Sequence, residues 1–304
     1  LSDREHPAAK PPVWLPLLVL GTGLAAISFG AILARLAQAG GVPSLSIAAW
    51  RLALAAGVVS VLLLFGGWRG LLALRGRQLA LAAAAGACLA AHFATWISSL
   101  EWTSVASSTA LVTTNPLWIG LAAFVLWGER PNRRMLAGIA LSLAGSLLIF
   151  LSDSRQAAPG AHPLLGNLLA LIGSWCFSAY LLIGRRLRSS VVLTVYIWLV
   201  YGAAAVFLFA AAGVSGAALA GFALPAWLAL AGMAIGPQLV GHTAYNWSLK
   251  HVSATFVAVV TLGEPIGSAL LAFLLLGETL APLQAGGFVL LLTGIYLAAQ
   301  AERR

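Results

Sequence analysis

The chain has 304 residues, 61% of them hydrophobic and only 8% charged, with a mean hydropathy of +0.96. A soluble domain carries about a quarter charged residues, so a soluble globular class is excluded and an integral membrane protein is expected. The net charge of +9 and pI of about 10.6 would point to nucleic acid in a soluble protein. In a membrane they point to basic loops beside anionic lipid, with no nucleic-acid partner.

In chain order, Arg4 and Lys10 precede an apolar run, and Ala37-Gln38-Ala39 mimics a cleavage site. The run from Val13 to Ala34 is too long for a signal-peptide core and reads as the first spanning helix. A span needs about 20 mainly apolar residues. Cutting at charges, Pro and Gly predicts ten spans: 13–36, 44–66, 78–100, 103–127, 132–152, 164–185, 191–212, 225–249, 252–276 and 280–300. The longest polar break, Asp153 to Pro163, separates two units, 13–152 and 164–300. Cys88 and Cys176 fall inside apolar segments, away from any extracytoplasmic disulfide position.

With ten spans both termini share one side. Fourteen of the 17 Lys and Arg residues fall there: Arg4, Lys10, Arg69, Arg75, Arg77, Arg130, Arg133, Arg134, Arg185, Arg186, Arg188, Lys250, Arg303 and Arg304. Arg35 and Arg155 fall on the other side, and Arg51 lies within span 2. The positive-inside rule puts that basic side, and both termini, in the cytoplasm.

The two units are copies. Ser99-Leu100 to Gly128-Glu129 reappears 149 residues on as Ser248-Leu249 to Gly277-Glu278, with Ser104, Pro116 and Phe124 recurring as Ser253, Pro265 and Phe273. Gly138 and Gly145 recur as Gly287 and Gly294, and at an offset of 150 Gly23, Ser28 and Arg35 recur as Gly173, Ser178 and Arg185. Five spans per unit is odd, so the second copy enters the membrane upside down: an inverted repeat, a common transporter plan. Glu101 ends span 3 outside while its partner Lys250 ends span 8 inside.

On these residues the chain resembles the drug/metabolite transporter superfamily in its ten-helix EamA-type branch. The resemblance rests on the duplicated five-helix unit, on Pro116 and Pro265 in spans 4 and 9, and on the Gly-Glu pairs closing those spans. The small-residue character of spans 5 and 10 also fits. Within the branch it is similar to the aromatic amino-acid exporters of bacterial inner membranes, through overall likeness and the segment Ala91-His92-Phe93-Ala94-Thr95-Trp96. The resemblance implies an all-α membrane protein, with spans 1–4 and 6–9 around a central cavity and spans 5 and 10 at the periphery.

Ionisable residues at membrane depth mark candidate pathways. There are four: Arg51, His92, His242 and Glu264. Glu264 and its repeat counterpart Asn115 both precede a proline, and a bend plus a polar side chain suits a hinge at Pro116 and Pro265 lining a cavity. Glu264 reads as a proton site, a substrate-ammonium site or a structural acid paired with Arg51. Arg51 can pair with Glu264, hold a substrate carboxylate or snorkel. Asn115 reads as a helix–helix hydrogen bond or a substrate contact.

His92, Trp96 and Ser99 share one helical face by their i, i+4, i+7 spacing, and Gln238, His242 and Tyr245 repeat it with Asn246 beside them. Trp175 and Tyr180 on span 6 and Trp118 on span 4 can add ring surface for an aromatic side chain or an ammonium, or serve as interface anchors, the role read for Trp14, Trp68, Trp102 and Trp227. No ligand spacing for a metal accompanies the two histidines. No phosphate loop or nucleophile elbow is present, so neither cofactor nor enzyme is expected.

The favoured reading is an inner-membrane exporter of amino acids, aromatic ones included, working by alternating access. Uniport is preferred to proton antiport because no relay accompanies the lone Glu264. The rivals are an antiporter of other small metabolites or cationic drugs, and, from another class, a structural membrane subunit or intramembrane enzyme.

Overall fold

The computed structural model describes residues 12, 14–128, 130–154, 162–276 and 282–302. Arg4, Lys10, Val13, Glu129, Arg155, Gly277, Glu278, Arg303 and Arg304, along with most of the connection between the two units, lie outside the described residues. The described structure is helical, with no strand in it.

Among the described residues, eight stretches are long and apolar enough to cross a membrane. They are α1 (Trp14–Ala39), α2 (Ser44–Phe65), α3 (Gly76–Trp102), α4 (Val105–Leu126), α6 (Pro163–Arg188), α7 (Leu193–Ser215), α8 (Leu224–Ser248) and α9 (Ala254–Leu275). Two further helices, α5 (Arg133–Ser154) and α10 (Pro282–Glu302), follow α4 and α9. A chain without water around it must satisfy its backbone internally, which is why these apolar runs are helices and why their interruptions matter.

The interruptions fall at two matching places. Ser104 caps the start of α4 by accepting a hydrogen bond from Ser107 N at 3.1 Å, and Ser253 caps α9 by accepting one from Phe256 N at 3.1 Å. Each helix then breaks one turn before its proline, between Val112 and Asn115 in α4 and between Thr261 and Glu264 in α9. Pro116 and Pro265 therefore sit in the first turn of a new helical segment, where a missing N–H costs nothing. Asn115 and Glu264 become the leading residues of those segments.

α3 packs along α6, and α2 along α7. α1 crosses α8 and α9, with Gly23 against Ala244 and Gly267 against Ser28. α5 and α10 pack on each other. A Cβ added at Gly145 would lie 2.5 Å from Gly287 O, and one at Gly294 would lie 2.5 Å from Gly138 O. The two backbones touch there because no side chain holds them apart, the usual way membrane helices gain contact without a hydrophobic driving force. At the ends of α1 to α3, Gln38 Nε2 donates to Ser44 Oγ at 2.9 Å and to Ile97 O at 3.0 Å, Ser44 donates to Glu101, and Arg35 donates to Thr103 O at 2.9 Å. Glu101 is thus held by a hydroxyl at the end of α3.

Candidate functional site

A cavity lies among the helices. Its lining comes from α1 (Ile27), α2 (Arg51), α3 (His92, Trp96), α4 (Val112, Thr113, Asn115), α6 (Phe177), α8 (His242, Tyr245) and α9 (Thr261, Glu264). None of the described residues of α5 or α10 reaches it. The space between atoms is about 380 Å³, solvent-open part included. Little of it is clear enough for more than a few waters, so the helices stand contracted around it.

Arg51 is 1% exposed and turns inward. Its Nε donates to Gln238 Oε1 at 2.8 Å, and its guanidinium lies over the Phe93 ring at 4.0 Å and 6.0 Å from the Trp96 ring. The hydrogen bond goes to Gln238 and not to Glu264, although both charged groups line the same cavity. Snorkelling is overturned: the side chain is buried against aromatic faces, not extended to an interface. The face of Phe93 is occupied by this cation, so it is not free to attract a substrate ammonium.

His92 and Trp96 stack nearly parallel, with centroids 6.0 Å apart and planes at 3°. His92 Nδ1 lies 3.0 Å from Gly173 O. A carbonyl only accepts, so Nδ1 carries the proton and Nε2 keeps its lone pair. His242 closes the cluster, 6.3 Å from His92 and 5.6 Å from Phe177. It ends a wide-turned stretch of α8, Ala234–His242, that contains Pro237. A proline inside a helix removes one backbone donor and crowds the carbonyl a turn earlier; widening the turn accommodates both, a device common at functional sites. This stretch aims Gln238 at Arg51 and His242 at the cavity.

Of the residues singled out from sequence, Arg51, His92, Trp96, Asn115, His242, Tyr245 and Glu264 come together as lining. Gln238 stands behind Arg51. Asn115 Oδ1 accepts from Thr261 Oγ1 at 3.1 Å, joining α4 to α9, so the helix–helix role is realised at a cavity position.

Ser99 does not reach the cavity; it is fully buried and bonded to Ser108 Oγ at 2.6 Å. Tyr180 does not either: its hydroxyl donates to Asn246 Oδ1 at 2.6 Å, and Asn246 Nδ2 donates to Tyr201 at 3.3 Å. Trp175 is 45% exposed and meets Trp118 edge-on at 5.5 Å, on the outer face of α6. Helical position decides this: Trp175 and Phe177 are two residues apart, roughly 200° around the helix, so only one of them can face inward. Among the described residues no three His, Cys, Asp or Glu side chains gather as metal ligands.

The lining residues that sequence reasoning passed over are Ile27, Val112, Thr113, Phe177 and Thr261. Their types are common in any spanning helix and carry no signal singly. The repeat does carry one. Ile27 pairs with Phe177 and His92 with His242 at an offset of 150, and Trp96 pairs with Tyr245, Val112 with Thr261 and Asn115 with Glu264 at 149. Five such pairs account for every lining residue except Arg51 and Thr113.

The model of the EamA-like transporter family matches this chain twice, over residues 11–151 and 164–300. The uncharacterized transporter YyaM of Bacillus subtilis is 23% identical over 256 residues, 84% of each chain. A protein of Escherichia coli named as a probable amino-acid metabolite efflux pump is 30% identical over 189 residues, 59% of this chain and 62% of that one. A solved structure superposes with a TM-score of 0.74 at 21% identity, over 95% of this chain and 99% of its own, a likeness of fold alone.

Proposed function

We propose that this chain, which belongs to the EamA-like transporter family and is a multi-pass membrane transporter by that kinship, exports amino acids, aromatic ones included, from the bacterial cytoplasm. The observation that carries this reading is the cavity itself: aromatic rings, one basic and one acidic side chain, enclosed by residues from both copies of the repeat. Kinship with a probable amino-acid metabolite efflux pump supports the substrate class. The architecture proposed is ten spans in two inverted five-helix repeats, with α5 and α10 as the fifth and tenth. The contracted cavity opens to each side in turn by rocking about the breaks at Pro116 and Pro265. Export is facilitated, because among the described residues the cavity holds one acid, Glu264, and no second carboxylate to relay a proton.

The test is efflux of labelled amino acids from liposomes, with and without a pH gradient. Phenylalanine, tyrosine and tryptophan are expected to cross down their gradients at rates indifferent to the pH step. Accumulation of amino acid against its own gradient, driven by the pH step, would establish antiport. Transport of organic cations without amino acids would favour the drug-export reading, for which the lone Glu264 is the supporting feature.

Orientation has its own expectation. On a background lacking Cys88 and Cys176, single cysteines replacing Arg75, Arg133 or Arg188 should resist a membrane-impermeant thiol reagent applied to intact cells and react after permeabilisation. Cysteines between Asp153 and Pro163 should react from outside. External labelling at Arg133 would invert the topology, since basic loops stay cytoplasmic.

A further inference from the structure

Five repeat-related pairs make most of the cavity a matched cage, and its charges are the departures from that match. On one side Glu264 stands where the first copy has the neutral Asn115. On the other, Arg51 enters the lining alone; the residue 150 positions on is Tyr201, which bonds Thr243 and Asn246. A basic side chain from the first copy thus shares the cavity with an acidic one from the second.

The Arg51 side also holds a surplus of donors. Arg51 Nη1, Trp96 Nε1 and Gln238 Nε2 are all buried without a hydrogen-bond partner. Their character as donors is fixed. Guanidinium and indole nitrogens have no acceptor capacity. The Gln238 amide is pinned because Oε1 must be the atom that accepts from Arg51 Nε. Buried N–H groups without a partner are costly unless an acceptor reaches them, and two of these, on Arg51 and Trp96, belong to residues that line the cavity. Neutral acceptors do not answer the charge on Arg51; an oxyanion does, through charge-assisted bonds.

We propose that the cavity is a dipolar cradle for a zwitterion, with a carboxylate docked on Arg51 and Trp96 and an ammonium facing Glu264. This deepens the amino-acid reading above and rests on it for the transported class. A phosphate monoester would satisfy the donors but bring no cation for Glu264, so the carboxylate of an amino acid fits both ends where a phosphate fits one.

The experiment is direct binding to the purified full chain in nanodiscs. Labelled phenylalanine is competed by phenylalaninamide, phenethylamine, 3-phenylpropionate and phenyl phosphate. Wild type should prefer phenylalanine over each of the four by about tenfold or more. Arg51→Gln should weaken phenylalanine and 3-phenylpropionate together while leaving phenethylamine unchanged. Trp96→Phe, which keeps the ring and removes the N–H, should shift the carboxylates the same way by a smaller factor.

If phenylalaninamide competes as well as phenylalanine in wild type, the carboxylate seat is refuted without recourse to any variant. Equal weakening of all ligands in a well-folded Arg51→Gln protein would also overturn it, since that marks a structural arginine. Phosphate outcompeting phenylalanine would overturn the zwitterion. Failure of the transport reading looks different: phenylalanine binds with the acid-over-amide preference yet does not cross liposomes, and the cradle stands. If phenylalanine neither binds nor crosses, both fall.

Discussion

Glu264→Gln is expected to weaken binding of amino acids by about tenfold to a hundredfold, the range of a charge-assisted contact, while uncharged analogues of the same shape lose far less. The residue leads the second segment of α9, is 7% exposed and lines the cavity. The positive end of that segment favours its carboxylate. Gln keeps the volume and hydrogen-bonding capacity but carries no charge and does not titrate. Three roles therefore separate. A substrate contact lowers affinity for ammonium-bearing ligands only. A coupling proton carrier would instead uncouple uphill export and spare exchange. A structural acid would lower transport and thermal stability together. Arg51 gives its Nε to Gln238 and not to Glu264, which argues against the third outcome, because an acid paired for structure would be found bonded to its cation. Competition binding alongside a pH-jump transport assay reads all three; uphill transport in wild type that vanishes only in the Gln variant would replace the facilitated mechanism with antiport.

Gly145→Leu is expected to lower the melting temperature in detergent by roughly 5–10 °C, since overpacking costs about 1–3 kcal/mol or more. A Cβ at Gly145 would stand 2.5 Å from Gly287 O, 2.7 Å from Leu291 N and 3.0 Å from Leu291 Cβ. Two of these are backbone atoms that cannot swing aside, so α5 and α10 must separate along their length. Gly286→Ala is the control: an added Cβ there meets nothing within 4 Å and should be neutral. Because neither helix lends a described residue to the cavity, folded Gly145→Leu protein should bind phenylalanine with unchanged affinity. A wild-type melting temperature in this variant would disprove the close approach of the two helices.

The membrane class, the positions of the helices and the duplication follow from the sequence alone. Charge is so sparse that any polar interruption marks a boundary, and a repeat in apolar sequence survives as spaced Gly, Pro and Ser. The same sparseness made Arg51, His92, His242 and Glu264 stand out, and all four line the cavity. What only the tertiary structure decided is how each helix is rotated and what each polar atom meets. Sequence spacing treats α8 as regular, yet the wide turn at Ala234–His242 sets the angle of Gln238 and His242. Trp175 and Phe177 are both aromatic, and nothing in their composition tells which faces inward; packing of α6 against α3 turns Phe177 to the cavity and Trp175 outward. Arg51 had three roles on paper, pairing with Glu264, holding a substrate carboxylate or snorkelling, and the fold seats it on Gln238 and the face of Phe93. Hydrophobicity sets which segments enter the membrane, but within it every face is apolar enough, so side-chain fit and hydrogen bonding between helices decide the rotation.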